Sequence, residues 1–144
     1  MATLTVTDKQ LRLIQQALDF YSRIGIGQLD EIKDHPTFAK YLGEQLKDVD
    51  GKVDYERYHL IREQADNAFT QGRNMLWNDF TRDRNGSWGI HNPNVDESCM
   101  VAFDLIQVIR HEFWKADSDR SEWTVDSSVH LHTEDGDKIK CELK

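Results

Sequence analysis

The chain is poor in cysteine and has no long apolar run. Its two cysteines, Cys99 and Cys141, are far apart and lack CxxC spacing, so they indicate two free thiols in a reducing compartment rather than a disulfide framework. There is no apolar stretch of about twenty residues, and no basic segment followed by an apolar run opens the chain, which argues against a membrane span or a signal peptide. We therefore expect a soluble protein of the cytoplasm.

Basic residues are scarce relative to acidic ones. The 144 residues include 18 Lys and Arg against 26 Asp and Glu, a formal net charge of −8. Such a surface repels polyanions, so the composition argues against a general DNA- or RNA-binding role and leaves room only for a local basic pocket. A chain of this length can fold without disulfide or metal support, and we predict a single domain over residues 1–144.

The first helix is the clearest element near the N-terminus. Thr7 and Gln10 have the spacing of a capping box, in which each side chain bonds to the backbone of the other residue. Apolar residues then recur on a wide helical face as far as Gly25 and Gly27, where glycine can end a helix. We predict a helix between these limits, preceded by a short strand over residues 4–6.

Three further segments carry helical patterns. The segment over residues 29–47 should break at His35, just before a proline, and continue as a modest helix. Another pattern begins at Asp54 and ends at Gly72 or at Trp77. The last begins at Asp96, with acidic residues in its first turn and basic residues in its last turn, a distribution that suits the helix dipole.

The C-terminal residues predict a β-hairpin. Apolar side chains alternate between residues 129 and 143 around a turn at Gly136, which is the pattern of two paired strands. Together with the short strand over residues 4–6, this hairpin predicts an α+β domain. Its small antiparallel sheet would pack against the N-terminal and central amphipathic helices.

Most familiar catalytic and metal-binding motifs are missing. No GxSxG elbow, P-loop or dinucleotide fingerprint is present. Residues 48–53 resemble a calcium loop, but Leu46 and Arg57 then occupy the first and twelfth positions, where carboxylates are needed. His130 and His132 share a strand face, but no third ligand is fixed nearby. We predict no metal, no cofactor and no catalytic residue.

A loop before the last long helix is the best candidate binding segment. Residues 86–94 contain two glycines, the aromatic Trp88, His91 and the amide of Asn92. Such a loop can offer stacking surface and hydrogen-bond donors to a small polar ligand. Trp77, Phe80 and Trp114 are alternative stacking rings, although each is more simply explained as a core side chain.

Two arginines lie beside apolar helix faces. Arg23 comes near the end of the first helix, and Arg110 has a similar place in the last helix. A guanidinium beside apolar surface needs a planar anionic partner. Taken singly, each arginine is more simply explained by a pair with an acidic side chain. Together with Trp88 and the loop amides, the two arginines provide the contacts that a ligand with an adenine, a ribose and a phosphate requires.

Two stretches resemble the first-described family of phage Thoeris anti-defence proteins. One is YSRIGIGQ over residues 21–28, and the other is SWGI over residues 87–90, leading through Asn92 to a helix that ends QVIRH at residues 107–111. The resemblance covers most of residues 3–114. Proteins of this family are sponges, which bind the cyclic ADP-ribose signal of the bacterial Thoeris defence and withhold it from its effector without degrading it.

The resemblance implies a set of ligand-binding residues. Arg23 and Arg110 match the family's early and late arginines, which contact the phosphates and ribose. Asn92 matches the family's loop asparagine, and either Phe80 or Trp88 would stack on the base. To these we add His91 from the same loop.

The resemblance also implies an assembly and a place of action. Members are small α+β proteins that form homodimers and higher homo-oligomers, with a hexamer among the states that we allow. Some also take up cyclic oligonucleotides at a separate site. They act in the cytoplasm of the host cell, and we expect neither a nucleic-acid polymer nor a membrane as partner.

Two other functions stay open on the sequence. One is a nucleotide-metabolising hydrolase in which His91 or His111 acts as acid or base. The other is an acidic host-takeover protein that binds a host polypeptide. A sponge differs from both, because it captures a nucleotide and returns it intact.

Overall fold

The computed structural model describes residues 4–76 and 87–116. Their elements in chain order are α1 (Asp8–Gly25), a 3-10 helix (Leu29–Asp34), α2 (Pro36–Gln45), α3 (Tyr55–Leu76) and α4 (Glu97–Ala116). Contacts divide the chain into two compact units. We call Met1–Ile26 with Trp88–Lys144 the helix-pair unit, and Gly27–Ser87 the middle unit. The single-domain assignment stays a prediction.

The α+β prediction is wrong, because the described part of the chain is helical and contains no sheet. Residues 4–7 precede α1 without joining a strand, and one isolated bridge between Lys47 and Val53 is the only strand-type pairing within the described ranges. Alternation over three residues is too short to specify a strand, since a strand is stable only with partners. The hairpin predicted over residues 129–143 lies outside the described residues.

The capping box at the start of α1 is confirmed. The Thr7 hydroxyl accepts a hydrogen bond from the Gln10 amide at 3.3 Å, and the Gln10 side-chain oxygen accepts one from the Thr7 amide at 2.9 Å. The helix ends at Gly25, and Gly27 follows with a positive φ of 98°. Both limits of α1 are therefore set by local signals in the sequence.

Replacing Thr7 with alanine should lower the free energy of unfolding by about 1 kcal/mol, because the first-turn amides lose their side-chain acceptor. Urea denaturation followed by circular dichroism measures the change. Thr5→Ala is the matched control, since Thr5 is exposed and precedes the helix. Equal midpoints for the two variants would show that the cap contributes nothing.

The helix-pair unit is built on α1 and α4, which run antiparallel. Gly25 at the end of α1 lies against Cys99 in the first turn of α4, whereas the Arg12 guanidinium near the start of α1 lies 3.9 Å from the Phe113 ring centre. Most of the buried side chains belong to α4, including Ile106, which is fully buried. The hydrophobic core of this unit therefore lies along α4.

The beginning and end of α4 confirm the sequence prediction. Asp96 precedes the helix, and its carboxylate accepts a hydrogen bond from the Ser98 amide at 3.0 Å, as an N-cap residue does. Glu97 lies in the first turn and Lys115 in the last. These charges match the helix dipole at both ends.

The middle unit contains the 3-10 helix, α2 and α3, with the 3-10 helix in contact with both α-helices. The predicted break at His35 is confirmed, because the His35 ring accepts a hydrogen bond from the Thr37 amide at 3.3 Å and α2 begins with Pro36. Between α2 and α3, the Asp48 carboxylate accepts the backbone amides of Asp50 and Lys52 at 2.9 and 2.8 Å. Residues 48–53 thus form an exposed turn that Asp48 itself closes.

Within the described ranges, none of the helices combines the length and the apolar character that crossing a bilayer requires.

Candidate ligand-binding site

Arg23 and Arg110 meet at one carboxylate, that of Asp19. The Arg23 Nε lies 2.7 Å from Asp19 Oδ2, and the Arg110 Nη2 lies 3.1 Å from Asp19 Oδ1. The side chains of Arg23, Asp19 and Arg110 are 38%, 28% and 21% exposed. We call these three residues the Asp19 cluster. The structure therefore brings together two predicted site residues that lie on different helices.

The pairing of each arginine with an acidic side chain is the simpler of the two explanations that the sequence offered, and it is what the structure contains. The Arg23 pair could have been found, because Asp19 lies one helical turn earlier on the same helix. The Arg110 pair joins two helices, so no spacing in the sequence indicates it. The spacing of Asp19 to Arg23 was thus the signal that could have added Asp19 to the predicted site.

The Asp19 cluster carries a net charge of +1. A guanidinium has five N–H donors in a planar fork, whereas a carboxylate offers two oxygen atoms. An anionic ligand group with the same acceptor geometry, such as a phosphate, could bind these guanidiniums in place of Asp19.

The loop before α4 is joined to the end of α1. The Trp88 amide donates to the Ile26 carbonyl at 2.8 Å, and Ile26 lies three residues after Arg23. The described part of the loop forms turns, which agrees with the loop predicted for this segment. The start of the loop and the last turn of α1 are thus held at the same end of the helix pair.

Asn92 shapes this loop through its own backbone and side chain. Its amide donates to the Gly89 carbonyl at 2.9 Å, its carbonyl accepts from the Val95 amide at 2.8 Å, and its side-chain oxygen accepts from the Asn94 amide at 2.9 Å. His91 is exposed and Trp88 is half-buried. Asn92 therefore stabilises the turn, in addition to the ligand-binding role predicted for it from the sequence.

A second link between α1 and the start of α4 was not predicted. The Tyr21 hydroxyl and the Ser98 hydroxyl lie 2.7 Å apart, and the Ser98 hydroxyl donates to the Asp96 carboxylate. Hydrogen bonds from the Ser98 side chain and then from its backbone lower the pKa of Asp96. This chain of polar groups fixes the helix start beside the loop.

The remaining candidates lie apart from these contacts. His111 is buried, and its ring stacks on that of Trp114 with 5.5 Å between the ring centres. Phe80 lies outside the described residues. Among residues 4–76 and 87–116, no group of three or more His, Cys, Asp or Glu side chains could hold a metal ion.

Comparison of the chain with protein-family models, with curated proteins and with solved structures gives no match. The resemblance to the anti-defence family therefore depends only on the residues quoted for it above.

Proposed function

We propose that the protein is a sponge that sequesters an anionic nucleotide signal of the cyclic ADP-ribose type in the host cytoplasm, without degrading it. The observation that carries the proposal is the convergence of Arg23 and Arg110 on Asp19. Two guanidiniums from separate helices form the kind of double clamp that a diphosphate requires. The resemblance of the sequence to the anti-defence family supports the same ligand.

In this proposal Asp19 holds both guanidiniums in place before the ligand arrives. A carboxylate and a phosphate accept the same pair of parallel N–H donors, so a phosphate can bind to arginines whose side chains are already ordered. This reduces the entropy lost on binding. The two guanidiniums attract an anion even though the whole chain carries −8.

The loop over residues 87–95 would bind the rest of the ligand. Trp88 offers an aromatic face for the base, and His91 and Asn92 offer polar groups for the ribose hydroxyls. Capture at nanomolar concentration needs about −12 kcal/mol, which is more than one open surface of two helices supplies. We therefore propose that a homodimer or a higher homo-oligomer encloses the ligand.

Incubation with cyclic ADP-ribose isomers, followed by heat denaturation, separates a sponge from a hydrolase. A sponge returns the intact signal, whereas a hydrolase releases product. His111 is buried and stacked on Trp114, so His91 is the more accessible of the two histidines that a hydrolase could use. Release of product would overturn the proposal.

Replacing Arg110 with glutamine should weaken capture of the signal by about 10- to 100-fold, the equivalent of one charge-assisted hydrogen-bond pair. Arg62→Gln is the matched control, because Arg62 also pairs with an aspartate but lies in the middle unit. Isothermal titration calorimetry measures both dissociation constants, and circular dichroism verifies folding.

Asp19→Asn distinguishes a ligand site from a purely structural ion cluster. If the arginines bind phosphate, loss of the competing carboxylate should leave capture unchanged or make it tighter, since one negative charge beside the arginines is removed. If the arginines only join α1 to α4, Asp19→Asn and Arg110→Gln should both lower stability and neither should affect the ligand. The second outcome would contradict the proposal. An unchanged melting temperature in the presence of cyclic nucleotides, at concentrations far above the expected dissociation constant, would also contradict it.

A further inference from the structure

The middle unit contains an apolar cleft that has no part in the proposed nucleotide site. It lies between the 3-10 helix, α2 and α3 and has a volume of about 280 Å³. Its walls come from all three elements, with Ile32, Leu42 and Phe69 as examples. Carbon atoms therefore surround a concave space, as in small-molecule sites.

Two aromatic side chains of α2 line the cleft without being covered. Phe38 is 54% exposed and Tyr41 is 65% exposed. Exposure of two large apolar side chains beside an apolar cavity leaves surface that a ligand could remove from water. Burial of this surface would provide the favourable free energy of ligand binding.

The charged groups of the cleft are arranged in ion pairs. Lys33 Nζ lies 2.5 Å from Asp66, 3.4 Å from Asp34 and 3.6 Å from Asp30. Arg62 also pairs with Asp34. These two cations and three carboxylates have a net charge of −1.

Lys33 and Arg62 are both charged at neutral pH. Burial lowers the pKa of Lys33, but its hydrogen bond to Asp66 and the neighbouring carboxylates raise it by more, so the pKa lies above its ordinary value. The hydrogen bond to Asp34 likewise raises the pKa of Arg62. Both cations therefore keep their charge and their acidic neighbours.

We propose that this cleft binds an uncharged small molecule of two-ring aromatic size. A cavity of about 150 Å³ holds benzene, so the larger volume here suits a molecule of the naphthalene or indole class. An anion would have to compete with aspartates that already bind Lys33 and Arg62, and a cation would meet both basic groups. Only a neutral apolar ligand leaves the ion pairs intact.

Fluorescence titration of the full chain with N-phenyl-1-naphthylamine, a neutral dye of the naphthalene class, tests this proposal. We expect saturable binding of one dye per chain. The related anion 8-anilinonaphthalene-1-sulfonate should bind at least about tenfold more weakly, because its sulfonate would have to compete with the aspartates that already bind Lys33 and Arg62.

Two variants fill the cleft from different elements. Ala65→Leu on α3 and Ala39→Leu on α2 both place a larger side chain in its wall, and each should weaken dye binding on the order of tenfold by occupying the space. Ala17→Leu is the matched control, because Ala17 is exposed on α1 in the helix-pair unit. Circular dichroism and thermal unfolding show which variants fold, and either folded cleft variant suffices for the comparison.

Several results would overturn the proposal. They are the absence of saturable dye binding, equal affinity for the neutral and anionic dyes, and unchanged affinity in a folded cleft variant. Analytical ultracentrifugation measures whether the wild-type protein dimerises. Loss of dye binding on dimerisation would show that a second copy fills the cleft instead.

Discussion

Replacing Ile106 with alanine is expected to lower the free energy of unfolding by about 3 to 4 kcal/mol. Ile106 lies in the middle of α4 and is one of the largest fully buried side chains among the described residues, with 0% of its surface exposed. Truncation removes three carbon atoms from the contact between α4 and its neighbours and leaves a cavity that a helix pair can close only in part. Such a loss is a large share of the stability of a chain of this size.

Val101→Ala on the same helix is the control for this experiment. Val101 is 48% exposed, so its truncation should change the free energy of unfolding by no more than about 0.5 kcal/mol. Urea denaturation at a fixed protein concentration gives both values, and an unchanged m-value shows that the comparison concerns the same transition. A cost below about 1 kcal/mol at Ile106 would mean that this part of α4 is not packed as described.

Replacing Gly25 with alanine is expected to cost about 2 kcal/mol, although alanine is normally the better helix residue. A Cβ atom at position 25 would lie 3.1 Å from the Cys99 Cβ and would overlap the Cys99 sulfur. Cys99 is buried, so its short side chain has little room to move. The two helices must therefore separate or the thiol must leave its position.

A double-mutant cycle isolates this contact. In the Cys99→Ala background the sulfur is absent, so Gly25→Ala should cost at least about 1 kcal/mol less than in the wild type. Gly72→Ala in α3 is the matched control, because a Cβ atom there meets no atom within 4 Å, and it should stabilise the protein by about 0.5 to 1 kcal/mol. Equal effects at positions 25 and 72 would contradict the close approach of α1 and α4.

The elements that the sequence predicted correctly are those with local signals. The capping box of Thr7 and Gln10, the proline that follows His35 and the acidic first turn of α4 each act within a few residues. Their physical cause is contained in the segment itself, since a cap or a fixed proline φ needs no distant partner. These signals located the starts of α1, α2 and α4 to within a residue or two.

The predicted sheet shows where local sequence signals fail. Alternation at residues 4–6 was interpreted as a strand, but a strand depends on partners elsewhere in the chain, and the described residues contain none for it. The grouping of the chain into a helix-pair unit and a middle unit also depends on contacts between distant residues. Composition and periodicity do not specify those contacts.

The candidate site was predicted from the sequence only in part. Arg23 and Arg110 were selected because a guanidinium beside apolar surface requires an anionic partner, and the structure places both at one carboxylate. That carboxylate could be identified from its spacing to Arg23 but not from Arg110, because the chain has 26 acidic residues and no spacing relates one of them to a distant helix. Asn92 was selected for its amide, whereas its bonds to Gly89, Asn94 and Val95 could be seen only in three dimensions.

The contact between Gly25 and Cys99 makes the thiol a chemical reporter of the helix pair. Burial raises the pKa of Cys99, so in the closed state the group is both covered and mostly protonated, and it reacts slowly with alkylating reagents. Modification must therefore wait for α1 to move away from α4. In a Cys141→Ser background, the rate of alkylation of Cys99 would measure how often this pair opens, without a new cysteine being introduced.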